Sequence, residues 1–269
     1  MRISRVLYSA AAIVLSAGLV TAVTVLPAAA ASGVSYVALG DSYSSGLGAG
    51  DYISSSGSCD RSNKAYPEQW AGSHSPASFV SVACAGATTS DVRNSQVSAL
   101  NASTTLVSIT IGGNDAGFSS VMETCVLSST STCLSKVATA KDFVIHQLPA
   151  LLNVTLQAIH AHAPNARVVL LGYPELYDLS KSSTCIGLST RDRTALNDGA
   201  DALDSALATA AAGNNAVWAD VRGQFSGHEI CDSGNWLHSV DIFALSSSYH
   251  PTASGQGLGY LPVFTRFAG

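Results

Sequence analysis

The chain has 269 residues, long enough for one sizeable α/β core. Hydrophobic residues make up 47% of it and charged residues 12%, which excludes a disordered chain. The net charge of −5 argues against nucleic acid as a partner, because a phosphate binder carries a basic excess.

Residues 1–31 stand apart. Arg2 and Arg5 make a short basic start, an apolar stretch covers 6–26, and Pro27 precedes Ala28-Ala29-Ala30-Ala31. Basic start, apolar middle and small-residue end are the composition of a cleavable signal peptide. Residues 32–269 are therefore expected to form a secreted, single-domain mature chain. It should not insert stably in a membrane, since no later stretch reaches about 18 uninterrupted apolar residues. A monomer is expected.

The apolar run 36–39 predicts a first strand, which leads into Gly40-Asp41-Ser42-Tyr43-Ser44-Ser45-Gly46. Residues 51–63, rich in Ser and Cys, predict a loop. A second strand is expected over 79–83, running into Cys84-Ala85-Gly86-Ala87-Thr88. A third is expected over 106–111, running into Gly112-Gly113-Asn114-Asp115. Residues 119–135 and 181–189 have the Ser, Thr and Cys content of disulfide-tied loops. Between them, 141–162 places Val144, Ile145, Leu148, Leu151, Leu152, Leu156 and Ile159 at helical spacing, with Pro149 predicting a kink or a late start. A fourth strand is expected over 168–171. An Ala-rich helix over 190–212 carries Leu196, Ala200, Leu203 and Leu207 on one face, and 217–221 predicts a fifth strand. The strand runs are near-continuous rather than alternating, as in a parallel sheet covered on both faces. Strands alternating with helices predict an α/β fold.

Open parallel sheets place their sites beyond the carboxyl ends of the strands, so the three polar blocks should meet at one rim. Ser42 is a candidate nucleophile between two glycines, and a serine needs a base to take its proton. His250, in Ser247-Ser248-Tyr249-His250-Pro251-Thr252, is the candidate general base. The N–H groups of Ser42 and Gly86 and the side-chain amide of Asn114 are candidate donors to an oxyanion. Taken singly, Ser42 reads as a helix cap, and Gly86 and Asn114 as turn residues. His160 and His162, two apart, do not share a helix face, and no CxxC is present, so no metal site is expected. The cysteines number six (Cys59, Cys84, Cys125, Cys133, Cys185 and Cys231), an even count that suggests disulfides in an exported chain. Sequential pairing is the simplest of the many arrangements.

In order along the chain, Gly-Asp-Ser with Ser42, then Gly86, then Gly-x-Asn-Asp with Asn114, then His250-Pro251 resemble the GDSL/SGNH hydrolase superfamily. Gly-Asp-Ser-Tyr-Ser-Ser-Gly, Tyr-His-Pro-Thr and the six cysteines together resemble its secreted actinomycete (Streptomyces-type) esterases and lipases. The resemblance implies a flavodoxin-like three-layer α/β/α sandwich with a five-stranded parallel sheet. It implies hydrolysis of carboxylic esters through a Ser42 acyl-enzyme, with neither metal nor organic cofactor. It also implies the pairs Cys59–Cys84, Cys125–Cys133 and Cys185–Cys231.

The chain departs from the superfamily pattern at Ser247, where most members carry an aspartate three residues before the histidine. A hydroxyl cannot stabilise an imidazolium as a carboxylate does. Some related members use a backbone carbonyl instead, so that of Ser247 or Ser248 could accept the His250 Nδ1 proton. Asp232 or Asp241 could alternatively supply the acid. The substrate is expected to be a small-molecule or lipid ester. Leu47, Tyr52, Ile53, Phe118 and Val121 are candidates for an apolar groove. A phospholipase A, a polysaccharide deacetylase and a non-catalytic secreted binding protein are the competing readings.

Overall fold

Strand β1 (Ser35–Gly40) pairs in parallel with β2 (Ser78–Ser81) on one side and with β3 (Leu106–Thr110) on the other. β4 (Arg167–Leu171) and β5 (Val217–Ala219) extend the sheet in the order β2-β1-β3-β4-β5, every pair parallel. The computed structural model describes residues 33–181, 185–240 and 245–269. The expected signal peptide and Asp241 lie outside the described residues.

The polypeptide moves outward from β1 in both directions, so the β1/β3 boundary is a topological switch point. Helices α2 (Tyr66–His74) and α9 (Leu261–Ala268) pack together on one face of the sheet. Helices α3 (Thr89–Asn94), α6 (Leu148–His162) and α7 (Thr190–Gly213) cover the other, with α4 (Phe118–Leu127) and α5 (Thr130–His146) packed outside them. Two further short helices are α1 (Ser42–Ser45) and α8 (Arg222–Phe225). This is the three-layer α/β/α architecture with a five-stranded parallel sheet. Among the described residues, no helix is long and apolar enough to cross a membrane.

All residues of β3 are buried, as are Tyr36 to Gly40 of β1 and Val168 to Leu171 of β4, which matches their near-continuous apolar sequence. β2 is an edge strand rather than a covered one: Ser78 and Val80 are exposed.

One segment differs from the sequence expectation, and a second takes the late start that Pro149 predicts. Residues 119–135 are largely helical, not a loop: α4 buries Val121, Met122 and Cys125 at helical spacing, and α5 begins behind a Ser129 cap. Their serines and threonines sit on the outer face, where composition disguises the periodicity. Residues 141–162 form no single helix: α5 ends at His146, and α6 restarts with Pro149 in its first turn, where a missing N–H costs nothing. Cystines join Cys59 to Cys84, Cys125 to Cys133 and Cys185 to Cys231.

Gly172, just after β4, shows how tightly this rim is packed. A Cβ there would stand 2.5 Å from Trp218 Cη2 and 2.8 Å from Asp204 Oδ1. The buried Asp204 carboxylate accepts from the Tyr173 N–H at 2.9 Å, so it cannot withdraw freely. Gly172→Ala is expected to destabilise the fold by about 1–3 kcal/mol through overpacking, measured as a fall in the denaturant midpoint at unchanged m-value.

Candidate active site

The turn that carries Ser42 begins at Gly40. This residue has φ of +121°, and a Cβ would stand 2.5 Å from the Thr110 carbonyl oxygen, so only glycine lets β1 leave the sheet against the end of β3. The Gln96 side-chain amide holds both backbone groups of Gly40, accepting at 2.7 Å and donating at 2.8 Å. The Asp41 N–H then donates to the Thr110 carbonyl at 3.0 Å, and Ser42 opens α1. At this first helical position the Ser42 N–H has no intrahelical acceptor.

Asp41 is the cap of α1 and is almost fully buried. Its Oδ1 accepts from the Tyr43 N–H at 3.0 Å and the Thr110 hydroxyl at 2.7 Å, and its Oδ2 accepts from the Tyr173 hydroxyl. Burial pushes the carboxyl up to about 6, against the pull of the three donors toward the anion.

His250 reaches Ser42 from the C-terminal segment. Its Nε2 lies 2.8 Å from Ser42 Oγ and its Nδ1 3.0 Å from the Ser248 carbonyl oxygen. A carbonyl can only accept, so the proton is on Nδ1, which leaves Nε2 to accept from the serine hydroxyl. Of the two carbonyls considered from sequence, that of Ser247 is bonded to the His250 backbone N–H at 3.1 Å. Asp232 is turned elsewhere, with its Oδ1 2.9 Å from Lys181 Nζ. Burial pushes the imidazole down to about 4, overcoming the raising effect of the Ser248 carbonyl, and neighbouring His238 lowers it further.

The loop is held in a strained form. Tyr249 is a bulky residue at φ of +65°, a conformation that costs about 1–3 kcal/mol. Its carbonyl accepts from the Tyr43 hydroxyl at 2.6 Å, and its hydroxyl lies 2.9 Å from that of Tyr177. The backbone of His238 bonds to the loop on both sides of this point, its N–H to the His250 carbonyl and its carbonyl to the Tyr249 N–H, each at 2.9 Å.

The second and third polar blocks hold each other. The Asn114 amide donates to the Ala87 carbonyl at 3.0 Å, and Asp115 accepts from the Thr89 N–H at 2.9 Å and hydroxyl at 2.6 Å. Gly86, at φ of +81°, is exposed on the turn so fixed. Its N–H has no acceptor among the described residues, and Asn114 keeps a second amide N–H to offer.

An apolar groove of about 770 Å³, open mouth included, leads away from Ser42 and Asn114. Phe118 and Val121 line it, whereas Leu47, Tyr52 and Ile53 do not. Most of its wall comes instead from α5 and α7, through Val137, Ala140, Val144, Leu196, Ala200 and Leu203. The sequence shows Val144, Leu196, Ala200 and Leu203 only as helix-face residues, and gives no sign of Val137 and Ala140, or of Tyr173 and Gln96, as part of the site. Tyr173 lies two residues past the end of β4 and is open to the same rim argument; Gln96 carries no local signal.

A serine hydroxyl bonded to a buried neutral imidazole, with N–H donors at the switch point of a parallel sheet, is the constellation of an α/β serine hydrolase. Residues 38–258 match the GDSL-like lipase/acylhydrolase family, and the chain belongs to that family. It is 52% identical to Lipase 1 of Streptomyces coelicolor over 98% of both chains. It is similar to the crystal structure of phospholipase A1 from Streptomyces albidoflavus NA297, with a TM-score of 0.85 and 54% identity over 87% of this chain and 99% of that one. The extracellular lipase from Streptomyces rimosus gives a TM-score of 0.84 and 50% identity over the same shares of the two chains.

An imidazole must be unprotonated to accept a proton, so a reaction in which His250 serves as the base falls off as pH drops through its pKa. With that value held down to about 4, the acid limb of kcat/KM is expected well below the ordinary histidine value of 6.5. A limb at 6.5 or above in the pH–rate profile would contradict the burial argument.

Proposed function

We propose that Ser42 is the nucleophile and His250 the general base of a secreted lipase or esterase that cleaves carboxylic esters of long-chain acids. The reading rests on one observation above all: Ser42 Oγ is 2.8 Å from a His250 Nε2 whose tautomer the Ser248 carbonyl fixes. His250 takes the Ser42 proton as Oγ bonds to the ester carbonyl carbon, and the carbonyl electrons pass to oxygen. The N–H groups of Ser42 and Gly86 and the Asn114 amide receive that oxyanion. As the C–O bond to the leaving alcohol breaks, His250 returns the proton to it. Water then gives a proton to His250, attacks the acyl-enzyme, and releases the acid while Ser42 regains its hydrogen.

The groove supports a long acyl chain, because an acetyl group would leave most of its apolar wall uncovered. That weighs against a polysaccharide deacetylase. A phospholipid would present the same kind of chain, and the similarity to a phospholipase A1 keeps that headgroup as a second reading. Residues 1–31 are read as a cleaved signal peptide, in keeping with a relative described as extracellular. The site draws every proposed group from one chain, so a monomer suffices for the reaction.

Hydrolysis of p-nitrophenyl esters from acetyl to palmitoyl tests the proposal. Ser42→Ala and His250→Ala are expected to remove turnover, and a wild-type protein without activity or covalent serine labelling would leave the binding-protein reading standing. Asn114→Ala is expected to lower kcat about 10²- to 10³-fold with little change in KM. Asp232→Asn is expected to keep nearly full activity; a loss comparable to that of His250→Ala would mean that Asp232 is the acid after all.

A further inference from the structure

Several glycines here answer to sterics: Gly40 to the Thr110 carbonyl, Gly172 to Trp218. Gly199 does not. It lies in the interior of α7, a helix of 24 residues, with no left-handed backbone angle to require it. A Cβ built there meets only Val137 Cγ1, at 3.8 Å, an ordinary van der Waals contact. Helix propensity favours alanine at such a position. Backbone, packing and propensity all leave this glycine unexplained. What it borders is the groove that starts at Ser42.

We propose that Gly199 is a specificity-determining residue: its missing side chain lowers the groove wall where α7 meets Val137 of α5, so that long acyl chains can lie over this point and extend past it. The inference rests on the acyl assignment of the groove made above. Leu203, one turn along α7, stands beside the rim, since a Cβ on Gly113 would lie 3.9 Å from its Cδ2. Gly199 is therefore about 6 Å farther along the helix from that point. Helix α5 runs alongside α7: Thr130 donates to Asp192 at 3.0 Å near one end, and Val137 faces Gly199 farther on. Ala140 and Ala200, also on the groove wall, keep the same stretch wide. A short acyl group needs little of this stretch; the distal methylenes of a long one lie in it. Each methylene denied burial lowers long-chain kcat/KM by a factor of about four.

The test compares Gly199→Ala and Gly199→Leu with wild type on p-nitrophenyl acetate and laurate, reading the laurate-to-acetate ratio of kcat/KM. A ratio is indifferent to the fraction of folded enzyme. Leucine is expected to lower it more than about tenfold and alanine about three- to fourfold, while alanine raises Tm. Should the leucine variant fail to fold, the alanine variant decides, and a ratio unchanged in the folded variants overturns the proposal. Wild type inert on every ester would sink the hydrolase reading instead. Calorimetric binding of laurate to Ser42→Ala, with and without Gly199→Leu, then judges the groove by itself. A tenfold weaker affinity in the double variant supports the proposal, and equal affinities overturn it.

Discussion

The close approach of Gly40 to the end of β3 is the constraint from which the site hangs. With no Cβ at 40, the Thr110 carbonyl can receive the Asp41 N–H, and the Thr110 N–H and hydroxyl both bond to Ser44 Oγ, at 3.1 and 2.8 Å. Thr110 also donates to Asp41, and Asp41 caps α1. One residue at the end of β3 thus holds the residues on either side of Ser42. Gln256 grips the same turn from behind, donating to the Tyr43 carbonyl at 2.9 Å and accepting from the Tyr66 N–H at 2.9 Å. The sheet order gives this meeting of β1 and β3 its position, at the point where the direction of winding reverses.

Opposite this turn, the histidine loop is held by contrast through accumulated hydrogen bonds rather than by a missing side chain. The Tyr249 conformation is unfavourable by itself, and bonds from Tyr43, Tyr177 and His238 over-determine it. The result is an imidazole oriented by a neutral carbonyl in a buried setting. Burial keeps it uncharged at rest, so in the proposed reaction its positive charge arises only as the oxyanion forms beside it. A neighbouring carboxylate would stabilise that charge more strongly, but it would also hold the resting imidazole at a higher pKa.

The parts legible in sequence were those encoded by neighbouring residues. The buried strands β1, β3 and β4 declared themselves as unbroken apolar runs, and the polar blocks followed them directly. The substitution of Ser247 for the usual aspartate pointed to a backbone carbonyl, though not to which one. Distinguishing Ser248 from Ser247 required the turn at Tyr249, a tertiary outcome. The helices over 119–135 were hidden because Ser and Thr dominate their outer face and few buried positions, Val121, Met122, Cys125 and Cys133, carry the period. The groove was illegible for a different reason. Its walls come from α5 and α7, distant in sequence, and each lining residue alone looks like ordinary helix packing. Gln96 and Gln256 were silent for the same cause, since a lone glutamine shows nothing of the backbone it will hold.

The Cys59–Cys84 bond has a bearing on where such a site can work. Cys84 stands two residues before Gly86, and the Ala85 N–H donates to the Cys59 carbonyl at 3.1 Å. The turn that offers the Gly86 N–H is thereby moored to the 51–63 loop by a covalent link. In a reducing compartment that mooring would be a pair of thiols, and the turn would be left to its hydrogen bonds with Gly40, Asn114, Asp115 and Cys59. The proposed Gly86 donor is in this way tied to the redox state of the surroundings, and an oxidising exterior keeps its mooring closed.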